Sequence, residues 1–124
     1  MNIPHDGQQL LLYSLVLGLN AQLIYEWGIG QSTKTFLEAL KHTEGYLVSC
    51  DWNTEHSWGL EIEGLPNWTW HKCSVEEFRK QIDDSLADII YVDGFHSYTA
   101  VSWEVRAFWP FLKDGGVMIL HDTV

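Results

Sequence analysis

The pattern of hydrophobic and polar positions divides the chain into alternating helices and strands. Apolar residues recur every three or four positions in the predicted helices, and short apolar runs bounded by turn residues predict strands. In chain order, the predicted elements are helix 8–19, strand 23–26, helix 33–41, strand 46–51, strand 68–71, helix 74–84, strand 87–93, helix 98–112 and strand 117–121. This alternation predicts an α/β fold with a doubly wound, mostly parallel sheet in a single domain that spans residues 1–124.

Acidic residues stand at the carboxyl ends of four predicted strands, namely Glu26, Asp51, Asp93 and Asp122. Ligands of doubly wound sheets bind outside these ends. Because like charges repel, a binding site explains four carboxylates on one rim better than a contribution to stability does. The pattern therefore predicts a site at this edge of the sheet.

The segment IYEWGIGQST, residues 24–33, places two glycines between the first strand and the next helix. Gly28 and Gly30 lack a Cβ atom and allow a tight turn with close backbone approach, and the free amides where Ser32 opens the helix favour a polar or anionic group. Asp51 follows Gly28 by 23 residues. An acidic residue at about this distance, roughly 20 residues, can accept both hydroxyls of a ribose. The segment predicts a nucleotide-type loop, and the alternative is an ordinary turn with a surface aspartate.

Charge and composition argue against several classes of partner. The net charge is −10 and the seven Lys and Arg residues are scattered, so no basic stripe is available for the phosphates of a nucleic acid. The longest apolar run, residues 10–19, is about half of the ~20 residues that a membrane span needs. Without a signal-peptide pattern at the N-terminus, we expect no membrane partner and a cytoplasmic location. Cys50 and Cys73 lack CxxC spacing and indicate neither zinc nor a disulfide framework.

Two stretches resemble a known family. EWGIGQST, residues 26–33, resembles the first motif of class I S-adenosylmethionine-dependent methyltransferases, in which an acidic residue precedes GxG. Residues 87–123, ADIIYVDGFHSYTAVSWEVRAFWPFLKDGGVMILHDT, are similar to the fourth and fifth strands of the small-molecule O-methyltransferase branch. The resemblance implies a Rossmann-like, three-layer α/β/α fold and a small-molecule acceptor.

The resemblance also implies a set of residues that bind S-adenosylmethionine. Glu26 would face the methionine amino group, the two glycines would pass close to the cofactor, and Asp51 would hold the ribose hydroxyls. Trp52 either lies against adenine or packs in the core, and Ser74 would approach the adenine edge. The full set is Glu26, Gly28, Gly30, Ser32, Asp51, Trp52 and Ser74.

The candidate catalytic residues are Asp93 and His96. By resemblance, Asp93 and Asp122 match two carboxylates that hold a divalent cation, Mg or Ca, in the metal-dependent members. Those members often have Asn or Asp where this chain has Thr123, so a metal-free reaction stays open, in which Asp93 and His96 supply acid–base chemistry. An imidazole suits removal of a hydroxyl proton, and the alternative for His96 is a cap on the next helix.

Three functions are compatible with these features. The leading one is transfer of a methyl group from S-adenosylmethionine to a small hydroxylated acceptor. The second is a cofactor-binding remnant or interaction domain without catalysis. The third, a nicotinamide-dependent oxidoreductase, ranks last because it predicts Gly where Thr33 stands and usually an apolar residue where Glu26 stands.

Family members usually continue into two strands beyond the fifth. This sequence stops at Val124, so we expect either a fragment or a compact variant that lacks those strands. The fifth strand would then be an edge, and its run of Val117, Met118, Ile119 and Leu120 is too apolar for an exposed one. We therefore expect a homo-oligomer.

Overall fold

The computed structural model of the chain describes residues 7–51, 66–82, 85–92 and 98–121. Within these residues, five strands form one sheet in the order β3-β2-β1-β4-β5, and every neighbouring pair is parallel. The strands are β1 Leu23–Trp27, β2 Tyr46–Cys50, β3 Trp68–His71, β4 Ala87–Val92 and β5 Leu112–Leu120. The helices are α1 Gly7–Leu19, α2 Gln31–Thr43, α3 Val75–Gln81 and α4 Tyr98–Phe108, and a 3-10 turn covers Trp109–Phe111. The predicted α/β, Rossmann-like class is confirmed.

Apolar residues cover both faces of the sheet. On one face, residues of α1 and α2 pack against alternate residues of the strands, including Ile24, Leu47, Ile89 and Tyr91. On the other face, Phe78 of α3 and Phe108 of α4 pack against Tyr25, Trp27, Ile90 and Val92. Because successive strand residues point to opposite faces, β1 and β4 are buried almost throughout, as their apolar sequences predict.

The ends of two helices follow from local chemistry. Glu44 has φ 60°, and its N–H donates to the carbonyl of Leu40 where α2 ends. The next residue is Gly45, and only glycine fits there because a Cβ would lie 2.6 Å from the carbonyl oxygen of Ala21. Ser74 is the N-cap of α3, since its Oγ accepts from the Glu77 amide at 3.3 Å. That helix ends at Gln81, short of the predicted 84.

The prediction for the last strand is wrong at its start. The expected helix 98–112 and strand 117–121 are replaced by a helix that ends at Phe108, a 3-10 turn that contains Pro110, and a strand from Leu112. Proline lacks the N–H that continues a helix. The pairing of β5 shifts in a bulge, because Ala87 pairs with Leu112 whereas Ile89 pairs with Val117. Residues 113–116 thus lie in the bulge between the paired residues Leu112 and Val117.

Asp88 contacts both the start of β1 and the bulged segment of β5. Its Oδ2 accepts from the amides of Gln22 at 2.8 Å and Leu23 at 3.1 Å, and its Oδ1 lies 3.5 Å from Lys113 Nζ. A Cβ on Gly116 would lie 2.7 Å from the Asp88 carbonyl oxygen, so this close approach requires glycine. The carboxylate of Asp88 therefore fastens the start of β1 to β4, and the Asp88 backbone lies against the bulge.

In the described part of the chain, no helix has the length and apolar character needed to cross a membrane.

Candidate functional site

The candidate site lies where β1 and β2 end side by side, since Glu26 pairs with Ser49 and Trp27 with Cys50. The chain leaves β1 through a turn at Gly28, whose N–H donates to the Cys50 carbonyl at 2.9 Å. Gly28 has φ 89°, in the left-handed region where a Cβ is unfavourable. The first glycine of the loop is therefore required by the backbone turn itself.

The second glycine serves a different purpose. Gly30 has φ −173°, an extended conformation that any residue can adopt, and a Cβ there would meet nothing within 4 Å. Its backbone consequently borders open space at the start of α2, where amides have no partner within the helix. This is the arrangement that a ligand needs for close approach to the loop.

Asp51 lies beside this loop, as the sequence spacing predicts. Its Oδ2 accepts from the amide of Ile29 at 3.0 Å, and the residue is 9% exposed. The structure thus brings Gly28, Gly30 and Asp51 together.

Glu26 lies beneath the loop and is 0% exposed. Its Oε2 accepts from Ser32 Oγ at 2.9 Å, and its Oε1 accepts from Thr33 Oγ1 at 2.8 Å and from Ser49 Oγ at 2.7 Å. The carboxylate therefore ties the first turn of α2 to β1 and β2. Its expected contact with a methionine amino group stays a prediction, and in this structure its oxygens face hydroxyls of the chain.

Two further residues belong to this buried cluster, and the sequence reasoning missed both. Ser49 interrupts an apolar strand two positions before Asp51, which places it on the same face of the sheet. Trp68 of β3 donates from Nε1 to Ser49 Oγ at 2.9 Å. Strand alternation could have identified Ser49, but no local signal connects Trp68 to Glu26.

Ser74 follows β3 and lies at the same edge of the sheet, where its hydroxyl caps α3. Its approach to an adenine stays a prediction. Trp52, Asp93, His96 and Asp122 lie outside the described residues. The ends of the strands before Asp93 and Asp122 are neighbours, because the His121 amide donates to the Val92 carbonyl at 2.8 Å. The described ranges contain no cluster of three or more metal-ligating side chains.

The two cysteines are free thiols. Burial raises the pKa of Cys50 well above its ordinary value, and the nearby Cys73 and Asp51 raise it further. Burial also raises the pKa of Cys73, with a smaller effect from Glu77. Both groups therefore stay protonated and poorly nucleophilic near neutral pH, in line with the absence of CxxC spacing.

A cavity of about 360 Å³ lies on the other face of the sheet, away from this loop. Its lining includes Leu23 and Tyr46, the first residues of β1 and β2, so it opens toward the amino ends of the strands. Ligands of doubly wound sheets bind at the opposite ends. The cavity is therefore separate from the candidate site.

Residues 25–123 match a family model described as a methyltransferase domain. The chain belongs to this methyltransferase family. The matched range contains the glycine loop, Asp51 and all five strand ends at the candidate site, so the family and the geometry point to the same edge of the sheet. No curated protein matches the sequence.

Solved methyltransferase structures share the fold. A candidate caffeoyl-CoA O-methyltransferase from Staphylococcus aureus has a TM-score of 0.77 at 17% identity and covers 96% of this chain and 58% of its own. A Podospora anserina methyltransferase bound to S-adenosylhomocysteine has a TM-score of 0.78 at 15% identity, over 91% of this chain and 51% of its own.

A third similar structure is the 1,6-didemethyltoxoflavin-N1-methyltransferase of Burkholderia thailandensis, with bound 1,6-didemethyltoxoflavin and S-adenosylhomocysteine. Its TM-score is 0.66 at 14% identity, over 94% of this chain and 52% of its own. The chain thus spans between 51% and 58% of the length of these relatives. At such low identities the likeness establishes the shared fold.

The two loop glycines should respond differently to alanine. Gly28→Ala forces a Cβ into the left-handed region and should lower the free energy of unfolding by about 1–2 kcal/mol. Gly30→Ala is the matched control, because its Cβ enters open space from an extended backbone and should leave stability within about 0.5 kcal/mol. Urea unfolding of both variants measures the difference. Equal losses would contradict the assignment of separate roles.

Proposed function

We propose that this chain binds S-adenosylmethionine and is part of an enzyme that transfers its methyl group to a small hydroxylated acceptor. The observation that carries the proposal is the position of the Asp51 carboxylate, 3.0 Å from the Ile29 amide and next to the open backbone of Gly30. Membership in the methyltransferase family supports the same ligand.

The residues at the loop suit the parts of this cofactor. Asp51 can accept hydrogen bonds from the ribose hydroxyls, and the amides at the start of α2 favour the methionine carboxylate. Glu26 and Ser32 belong to the proposed site, since the negative charge buried beneath the loop favours a cationic amino group above it. We assign Trp52 and Ser74 to the adenine, on the strength of the sequence resemblance.

The reaction needs a base and good positioning. When bound, the cofactor supplies a methyl group activated by its sulfonium. We propose that the acceptor hydroxyl gives its proton to His96 or Asp93 as its oxygen attacks the methyl carbon and the carbon–sulfur bond breaks. Displacement at carbon is an in-line process, so residues that hold the acceptor in line supply much of the acceleration.

We also propose that a divalent cation, Mg or Ca, is held by Asp93 and Asp122. The support is the sequence pattern, together with the adjacent ends of β4 and β5. Carboxylate oxygens are the ligands that such hard cations prefer. Methyl transfer measured with EDTA and after addition of Mg²⁺ tests this cation.

Replacing Asp51 should weaken cofactor binding more than it weakens the fold. Asp51→Asn keeps an oxygen for the Ile29 amide but loses the charge, and we expect the affinity for S-adenosylhomocysteine to fall by about 1–3 kcal/mol. Isothermal titration of the variant and the wild type measures this. Asp114→Asn, an exposed change on β5, is the matched control. Unchanged affinity in Asp51→Asn would remove Asp51 from the site.

Turnover tests the acceptor class. Incubation with S-adenosylmethionine labelled in its methyl group should transfer label to some members of a panel of hydroxylated small molecules. His96→Gln should lower the rate by about 10²-fold or more because the base is lost.

If a cation takes part, EDTA should abolish transfer and Mg²⁺ should restore it. Full activity in EDTA would contradict the metal proposal. Binding without transfer to any acceptor would favour a cofactor-binding domain without catalysis.

We further propose that the chain forms a homo-oligomer through β5. In the described part of the chain, β5 pairs with β4 along one side, and Leu120 is 47% exposed. Charged residues on this strand are confined to Lys113 and Asp114 near its start, so the remainder is weakly protected as an edge. Light scattering should give at least a dimer mass at tens of micromolar, and Leu120→Lys should reduce it. A stable monomer without aggregation would contradict the proposal.

A further inference from the structure

We infer that Ser49 and Trp68 are positioning residues for the cofactor loop, which they reach through Glu26. The inference rests on the proposed cofactor site and adds two residues that the motifs do not contain. It assigns a role in ligand affinity to a tryptophan on β3, two strands away from the loop.

The observation is a continuous chain of hydrogen bonds across three strands. Trp68 Nε1 donates to Ser49 Oγ at 2.9 Å, and Ser49 Oγ donates to Glu26 Oε1 at 2.7 Å. Thr33 Oγ1 donates to the same carboxylate oxygen at 2.8 Å and accepts from the Gly30 amide at 3.0 Å. Ser49, Glu26 and Thr33 are 0% exposed and Trp68 is 6% exposed, so water does not compete for these bonds.

The chemistry of the groups fixes the direction of every bond. An indole N–H and a backbone N–H can only donate, and Glu26 Oε1 accepts from both hydroxyls. The two hydroxyls between them therefore point their protons at Glu26 from both sides. Chains of this kind polarise one another and are sensitive to the loss of any member in a buried setting.

The chain ends at the residues that a ligand would meet. Gly30 borders the open space of the loop, and Ser32 and Thr33 open α2. A change in how Ser49 holds Glu26 is therefore passed to the amide of Gly30 and the first turn of this helix. Elsewhere on this face the strands present apolar residues such as Ile24, Leu47 and Ile89. Packing by itself gives no reason for a serine at position 49.

Trp70 provides a matched control on the same strand. Its ring stacks on that of Trp68, with centroids 6.0 Å apart and planes 12° apart. Within the described residues, Trp70 Nε1 has no hydrogen-bond partner. Trp70→Phe thus removes the same atoms as Trp68→Phe from the same stacked pair, without breaking the chain to Glu26.

The experiment compares the affinity for S-adenosylhomocysteine with stability. Trp68→Phe and Ser49→Ala should each weaken binding by about fivefold or more, whereas Trp70→Phe should stay within about twofold. The double variant Ser49→Ala with Trp68→Phe should bind no worse than Ser49→Ala, because both changes break one chain. Ser49→Thr, which keeps the hydroxyl, should recover most of the affinity. Titration at a temperature where urea unfolding shows every variant folded separates binding from stability.

Each outcome decides the inference. Equal losses in Trp68→Phe and Trp70→Phe, or additive losses in the double variant, would show that these residues act by packing and would overturn it. A wild type that binds no S-adenosylhomocysteine would overturn the cofactor proposal and this inference together. If Trp68→Phe does not fold, hydrogen exchange in the wild type replaces it. Ligand should then slow exchange of the Trp68 indole N–H and leave Trp70 unchanged, and equal rates with and without ligand would overturn the inference.

Discussion

A carboxylate that is withdrawn from water must be compensated by hydrogen-bond donors, and Glu26 meets this constraint with hydroxyls from both sides. Ser32 and Thr33 come from the helix that follows the loop, and Ser49 comes from the neighbouring strand. Removing one donor would leave a buried charge only partly satisfied, which costs far more than a surface hydrogen bond. The loop, the start of α2 and the end of β2 are thus held to one another by a single acidic side chain.

Glu26 and Asp51 hold the loop in different ways. Glu26 organises the loop from beneath, and Asp51 holds it from the side through the Ile29 amide. The two glycines of the loop have different roles. Gly28 adopts the left-handed conformation of the turn, and Gly30 leaves open space beside the backbone. The proposed site is therefore preorganised, because the side chains that hold the loop are already fixed by hydrogen bonds.

The sequence predicted the parts of the structure that depend on local chemistry. The N-cap at Ser74 follows from a serine with Glu77 three residues later, and the position of Asp51 beside the loop follows from a spacing that parallel strands impose. The start of β5 could not be predicted, because two glycines that normally indicate a turn lie in a bulge here. Gly115 has φ 83°, and Gly116 approaches the Asp88 carbonyl oxygen too closely for a Cβ. The role of Trp68 could not be predicted from the sequence either. Its partner Ser49 is 19 residues away, and the contact forms only when β2 and β3 pair.

The central place of β1 has a consequence for the order of folding. This strand lies between β2 and β4, and its partners in β4 follow it by about 65 residues, for example Ile24 beside Ile89. Such non-local pairing requires closure of a long loop of chain before any contact compensates the lost entropy. A ribosome must therefore have released β4 before β1 is enclosed on both sides, and until then the acidic side chain at position 26 has water on one flank. The loop therefore acquires its final shape only after β4, which ends at Val92, has left the ribosome.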